Sequence, residues 1–142
     1  MADAATPEQV FRNGMSLLVK NDFEAWAGLF AQDAVMEFPY APEGAPRRVE
    51  GRAAIAAYMR PFPEHMEVRE LTDLVIHTTG DPRTVVVEFG SAGRAVATDE
   101  PFAMSYVVIL TVENGLITRY RDYWNPLDAP ASMRQGWDRA SA

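Results

Sequence analysis

Leu116-Ile117-Thr118-Arg119-Tyr120-Arg121-Asp122-Tyr123-Trp124, entered through Glu113-Asn114-Gly115, decides the fold of this chain. In an extended segment successive side chains point to opposite faces. Tyr120, Asp122 and Trp124 therefore share one face, and Arg119, Arg121 and Tyr123 share the other. Asparagine and glycine tolerate positive backbone dihedrals, so Asn114-Gly115 predicts a hairpin turn joining this strand to the apolar run Phe102 to Val112. If the Tyr120 face is internal, Asp122 is a buried ionisable group set between aromatics.

Two more runs with strand periodicity precede the hairpin, Glu67 to Thr78 and Thr84 to Gly90, separated by the turn residues Gly80-Asp81-Pro82. Gly90 to Pro101 reads as a wider connection. Further upstream the period changes to that of helices. Thr6-Pro7-Glu8-Gln9 has the logic of a helix start: Thr6 caps, Pro7 takes the first helical position and Gln9 completes a capping box. Val10, Phe11, Gly14, Leu17 and Leu18 then form one stripe through about Lys20. Asp22 caps a second short helix carrying Phe23, Trp26, Ala27, Leu29 and Phe30. An extended segment follows from Asp33 to Phe38, then a proline-rich loop from Pro39 to Arg48. A third helix spans roughly Arg52 to Arg60 and is stopped by Pro61 and Pro63. Helices first and long, mostly antiparallel strands later imply an α+β fold. The expected form is a cone: a curved, antiparallel-rich mixed sheet wrapped around the N-terminal helices, enclosing a pocket lined by alternate strand residues.

The 142 residues, 48% hydrophobic and 23% charged, suit a single domain over 1–142, with flexible ends at 1–5 and 138–142. No apolar run approaches the roughly 20 residues of a membrane helix. Met1 to Ala5 lacks the regions of a secretion signal, so a cytoplasmic protein is expected. The absence of cysteine excludes disulfides, thiolate nucleophiles and cysteine-ligated metals. His65 and His77 fit no metal spacing, there is no phosphate-binding glycine loop, and neither a cofactor nor a metal is expected. A net charge of -7 opposes nucleic-acid partners and anionic membrane surfaces.

Landmarks along the chain carry a family resemblance. They are Leu29-Phe30-Ala31-Gln32-Asp33-Ala34-Val35, Val49-Glu50-Gly51-Arg52-Ala53-Ala54-Ile55, Val87-Glu88-Phe89, Gly93, Tyr106, Asn114-Gly115-Leu116-Ile117 and Arg121-Asp122-Tyr123-Trp124-Asn125. In this order they resemble the SnoaL-like branch of the nuclear-transport-factor-2-like superfamily, and within it proteins similar to PhzA/PhzB. The resemblance implies an α+β cone, commonly dimerised through its sheet. It also spans many activities: isomerases, epoxide hydrolases, polyketide cyclases and binding proteins without chemistry. Fold alone therefore selects a pocket, and the pocket residues must select a reaction.

By the same resemblance Asp122 falls where limonene-epoxide-hydrolase-like proteins carry an active-site aspartate and PhzA/PhzB-like proteins a proton-transferring glutamate. Tyr58 stands where phenazine-pathway proteins have a functional histidine, which weakens transfer of their imine-forming reaction. The ketosteroid-isomerase base would fall at Phe38, with no acid at Ser105 to Val107, so that mechanism is not expected. The hydrolase arginine is also missing, since its strand reads Val85-Val86-Val87-Glu88-Phe89.

The candidate catalytic residues are Asp122, Tyr58 and Glu88. Asp122 competes with a surface acid paired to Arg119 or Arg121. Glu88 shares parity with Val86 and would form an acid/base pair if it faced the same cavity; otherwise it is a solvated strand-end acid. Tyr58 is the best phenolic donor, with aromatic core packing as the alternative. Phe38, Tyr40, Met104, Tyr106, Tyr120 and Trp124 are the candidate substrate-binding residues, Tyr40 as a cover over the pocket mouth. Trp26 reads as core. The tail after Pro126, with Leu127, Met133 and Trp137, either crosses the pocket or packs on a partner. Together these residues predict a cofactor-independent acid/base enzyme acting on a small apolar or aromatic metabolite. Cyclase, isomerase and epoxide-opening hydrolase of secondary metabolism are the candidate types. The alternative is a binding or protective protein using the same pocket without turnover. A homodimer is implied by the resemblance.

Overall fold

A computed structural model describes residues 5–129. The expected capping box forms: Gln9 N–H donates to Thr6 Oγ1 at 3.2 Å and Thr6 N–H to Gln9 Oε1 at 2.9 Å, opening α1 (Pro7–Val19). Asp22 Oδ1 accepts from Ala25 N–H and starts α2 (Phe23–Ala27). That helix is shorter than its apolar spacing suggests, because Phe30 opens β1 (Phe30–Glu37) instead of closing the helix. The proline loop leads into a short strand that the sequence reading does not contain, β2 (Arg48–Glu50), and then into α3 (Arg52–Met59). Pro61 and Pro63 do stop α3, with one further turn, α4 (Phe62–His65), between it and the sheet.

The rest is sheet: β3 (Met66–Thr78), β4 (Thr84–Ala95), β5 (Pro101–Glu113) and β6 (Leu116–Trp124), followed by a 3-10 turn at Pro126–Asp128. Asn114 and Gly115 have φ of 54° and 79°, as the tight β5–β6 hairpin requires. β4 runs five residues beyond the expected Gly90, so most of the presumed wide connection is strand. Gly93 explains why it is not a breaker: a Cβ there would collide with the carbonyl of Glu67 on β3.

The strand order is β2-β1-β6-β5-β4-β3, parallel between β1 and β6 and antiparallel elsewhere. Register shifts in β3 at Val68/Glu70 and Thr72/Val75 add twist and curl the long strands, as bulges do. α1 lies across β3 to β6, α2 packs on α1 and α3, and α3 covers β1 and β2. The core fills the space between these helices and one face of the sheet. Phe30, Met36, Ile55, Val87, Val108 and Leu110 are fully buried there. Burial of each such side chain is worth about 1.5–3 kcal/mol, so the inner face is fixed by its apolar ladder before any polar group is placed.

Candidate active site

Cross-strand register shows which residues look inward. Val85 lies opposite Leu110, which lies opposite Tyr120; Val87 opposite Val108, opposite Asp122; Phe89 opposite Tyr106, opposite Trp124. Because Val87, Val108 and Leu110 are fully buried, all three rows point into the cone. Asp122 is thus on the inner face, in the row between the two aromatic ones.

The Asp122 residue keeps partial exposure, but its Oδ1 is shut off from solvent and has no hydrogen-bond partner among the described residues. Desolvation pushes its carboxyl up to about 7, and no neighbouring cation counters the shift. The competing expectation of an ion pair with Arg119 or Arg121 does not hold. Those two side chains leave the opposite face, where Arg119 Nε meets Glu37 Oε1 at 2.7 Å and Arg121 Nη2 lies 3.7 Å from the same oxygen.

Three phenols surround this carboxyl. Tyr58, on α3, is 38% exposed as a residue; its ring packs 5.3 Å from that of Phe38, and its hydroxyl is raised by desolvation and then by the Asp122 charge. Tyr120 sits between the core and the site, 5.9 Å from the rings of both Trp26 and Phe30, and is raised for the same two reasons. Tyr106 stacks on Phe89 with ring centroids 4.7 Å apart, and its hydroxyl is 2.8 Å from Ser91 Oγ. Burial raises Tyr106 most; the Ser91 hydrogen bond opposes this, and the charges of Asp122 and Asp128 add to it. All three stay protonated at neutral pH.

Phe38 and Met104, expected as substrate-binding residues, are buried, Phe38 in the main core and Met104 in a smaller cluster with Met66, Phe102 and Ala129. Trp124 borders both clusters, and Trp26 is core. Two expectations need correction. Glu88 shares parity with Val86, but that parity belongs to the outer face, opposite Val107; its Oε2 lies 2.6 Å from His77 Nε2, away from Asp122. Tyr40 is 63% exposed and packs on Tyr123, an outer-face residue, so it stands on the opposite side of the sheet from Asp122. It instead helps line a groove of about 980 Å³ to which Glu88, Val107 and Tyr123 contribute, together with Met104, Tyr106 and Trp124, but not Asp122. Leu127 is exposed in the 3-10 turn, while Met133 and Trp137 lie outside the described residues.

Ser91 is the residue that sequence reasoning missed. It is 3% exposed and the sole buried polar residue of the described core. Its signal is present, since it continues the alternation Val85, Val87, Phe89, but Gly90 reads as the end of the strand. Among the described residues, no three histidine, aspartate or glutamate side chains gather to hold a metal ion, and no helix is long and apolar enough to cross a membrane.

Comparison with known proteins agrees with this architecture. Residues 11–120 match the model of the SnoaL-like domain. An uncharacterised PhzA/B-like protein of Pseudomonas aeruginosa is 41% identical over 120 residues, 84% of each chain. A crystal structure from Bacillus subtilis, of a protein proposed as an isomerase, superposes with a TM-score of 0.83 at 38% identity, covering 85% of this chain and 87% of that one. A proposed polyketide cyclase from Pseudomonas putida shares the fold, with a TM-score of 0.74 at 21% identity over 88% and 96% of the two chains.

Proposed function

The chain belongs to the SnoaL-like domain family, and from that membership we propose that it is a cofactor-independent acid/base enzyme working on a small, largely apolar metabolite. One observation carries the reading: a carboxyl on the inner sheet face has an oxygen with no hydrogen-bond partner among the described residues and a proton affinity set near neutrality. At pH 7 both its forms are populated, the condition under which one group serves as base in one step and acid in the next.

The reaction type that fits is an intramolecular rearrangement or ring closure, as the isomerase and polyketide-cyclase descriptions of the two structural relatives suggest. The Asp122 carboxylate takes the proton from the attacking hydroxyl, or from the carbon that must become nucleophilic. As the new bond forms, the substrate oxygen that gains negative charge accepts a hydrogen bond from a tyrosine. Tyr106 is suited to this role. If Ser91 donates to the Tyr106 oxygen, the Tyr106 O–H is left to point at substrate. Tyr58 is the second donor, on a separate element. The protonated Asp122 then returns its proton to the product. Phe38, Tyr120 and Trp124 hold the substrate in a folded conformation, so orientation supplies much of the rate.

A cytoplasmic role in secondary metabolism and a homodimer complete the proposal. The dimer reading is supported by the outer sheet face, where Val75 and Val107 are 47% and 37% exposed beside Tyr40 and Tyr123. Such a patch is better covered than solvated.

The test is a panel of apolar hydroxy-epoxides and cyclisable polyketone mimics, scored for product by mass spectrometry with wild type and Asp122→Asn. Any conversion should fall on the order of a hundredfold or more in the variant while ground-state affinity changes little. A variant that keeps its rate removes Asp122 from the chemistry, and a wild type that binds members of the panel without converting any of them is a receptor rather than a catalyst.

A further inference from the structure

The outer face of the sheet is as ordered as the inner one. Two cross-strand rows run over it from β3 through β4, β5 and β6: Val75-Glu88-Val107-Tyr123, and His77-Val86-Ile109-Arg121, the second continuing to Glu37 of β1. β5 gives this face Ser105, Val107, Ile109 and Thr111, none of them charged. On one side of β5 lie the acids Glu70, Asp73 and Glu88 of β3 and β4, with His77 Nε2 2.6 Å from Glu88 Oε2. On the other lie Arg119 and Arg121 of β6 and Arg48 of β2, gathered on Glu37, with Glu50 beside Arg48. Partners within the chain do not enclose these groups: the Glu88 side chain stays 55% exposed and that of Arg121 29%. A neutral, largely apolar strand thus divides an acidic flank from one where arginines outnumber acids.

We propose that this face docks on a second copy of the chain with β5 laid along the partner's β5 and the β4 of each copy over the β6 of the other, so that Glu88 reaches the partner's Arg121 on both sides of the axis. The inference rests on the preceding homodimer reading and names its register and what selects it. Identical faces related by a two-fold axis leave few arrangements. With the axis along β5, Val107 and Ile109 meet their own counterparts, and the acidic flank of each copy lies over the arginines of the other. With the axis across the strands, β4 lies on β4 and β6 on β6, which sets acid on acid and arginine on arginine. Like-charge juxtaposition penalises the second arrangement and opposite charge favours the first. In the favoured one Glu88 stands over the partner's Tyr123, one row from the partner's Arg121, and packed sheets about 10 Å apart leave a gap that a glutamate and an arginine bridge together. The face is also large enough. Its strands β3 to β6 and β1, at about 4.8 Å spacing and about ten residues of about 3.4 Å each, present roughly 800 Å², the share of one partner in a stable interface.

The test is sedimentation of the full chain and of two single variants, Glu88→Arg and Arg121→Glu, each alone and then mixed in equal amounts, with urea unfolding to check that each folds. Alone, each variant should associate about tenfold or more weakly than wild type, because the swap brings like charges together at both symmetry-related contacts. The mixture should associate nearly as well as wild type, since each copy then brings the sign that the other lacks. A change confined to one chain cannot produce that recovery. Wild type itself should associate more weakly in high salt, a readout that needs no substitution. If Arg121→Glu does not fold beside Glu37, Arg121→Gln takes its place, and its mixture with Glu88→Arg should associate better than Glu88→Arg alone.

A mixture no better than its components overturns the register, and so do single variants that associate like wild type. The homodimer reading survives either result if Val107→Lys still weakens self-association. A wild type that stays monomeric at every concentration measured removes the homodimer reading and this inference together, and leaves the face to another occupant, residues 130–142 included.

Discussion

Asp122 and Glu37 are carboxylates on opposite faces of one sheet, and their surroundings could hardly differ more. Glu37 ends β1 on the outer face, within reach of Arg48, Arg119 and Arg121 at 3.6, 2.7 and 3.7 Å. Asp122, one residue along β6 from Arg121, has an oxygen with no described partner and only phenols and apolar rings for company. Strict alternation along β6 produces the contrast: the arginines interleaved with Tyr120, Asp122 and Trp124 are turned away from the acid by geometry. Charge balance is met at Glu37 and withheld, among the described residues, at Asp122.

The same isosteric change at the two acids should have opposite signs. For Asp122 the folded carboxyl is raised to about 7, above its unfolded value of about 3.9. Below about pH 4 both states hold the proton and stability is full. Between pH 4 and 7 the folded state alone keeps it, so stability falls as pH rises, by up to about 4 kcal/mol once pH 7 is passed. Asp122→Asn lifts that penalty. Urea unfolding should find the variant more stable than wild type at pH 8 and nearly equal at pH 4; equal stabilities at both pH values would mean that the carboxyl is not desolvated.

A smaller effect should follow from placing a charge on the outer apolar patch. Val107→Lys should weaken self-association at least tenfold, about 1.4 kcal/mol, in sedimentation experiments, with the monomer's unfolding midpoint little moved. An unchanged dissociation constant would assign the patch another role. Smallest of all, Glu37→Gln should cost about 1 kcal/mol at pH 8, the scale of a partly exposed ion-pair network, and the loss should shrink in high salt. A gain in stability there would erase the contrast with Asp122.

Much of this was legible in the sequence, and the exceptions have physical causes. The β5–β6 hairpin could be read because period-2 alternation and Asn114-Gly115 are local signals, and the same alternation put Asp122 between Tyr120 and Trp124. Glu88 shows where local signals stop. Parity says that Val86 and Glu88 share a face, but which face is internal depends on Val87 standing opposite Val108, a pairing between strands. Ser91 was lost because Gly90 and Gly93 resemble breakers, whereas Gly93 is required by the approach of Glu67. Tyr40 lies in a proline-rich loop whose direction no periodicity encodes.

The strand bearing Asp122 is the last of the described strands yet sits inside the sheet, parallel to β1, with Phe30 paired to Ile117. During synthesis from the N-terminus, β1 and β5 must wait for Leu116–Trp124 with open edges, exposed to stray pairing. The sheet is thus closed by this strand, and a nascent chain halted before it has neither a closed sheet nor an inward-facing carboxyl.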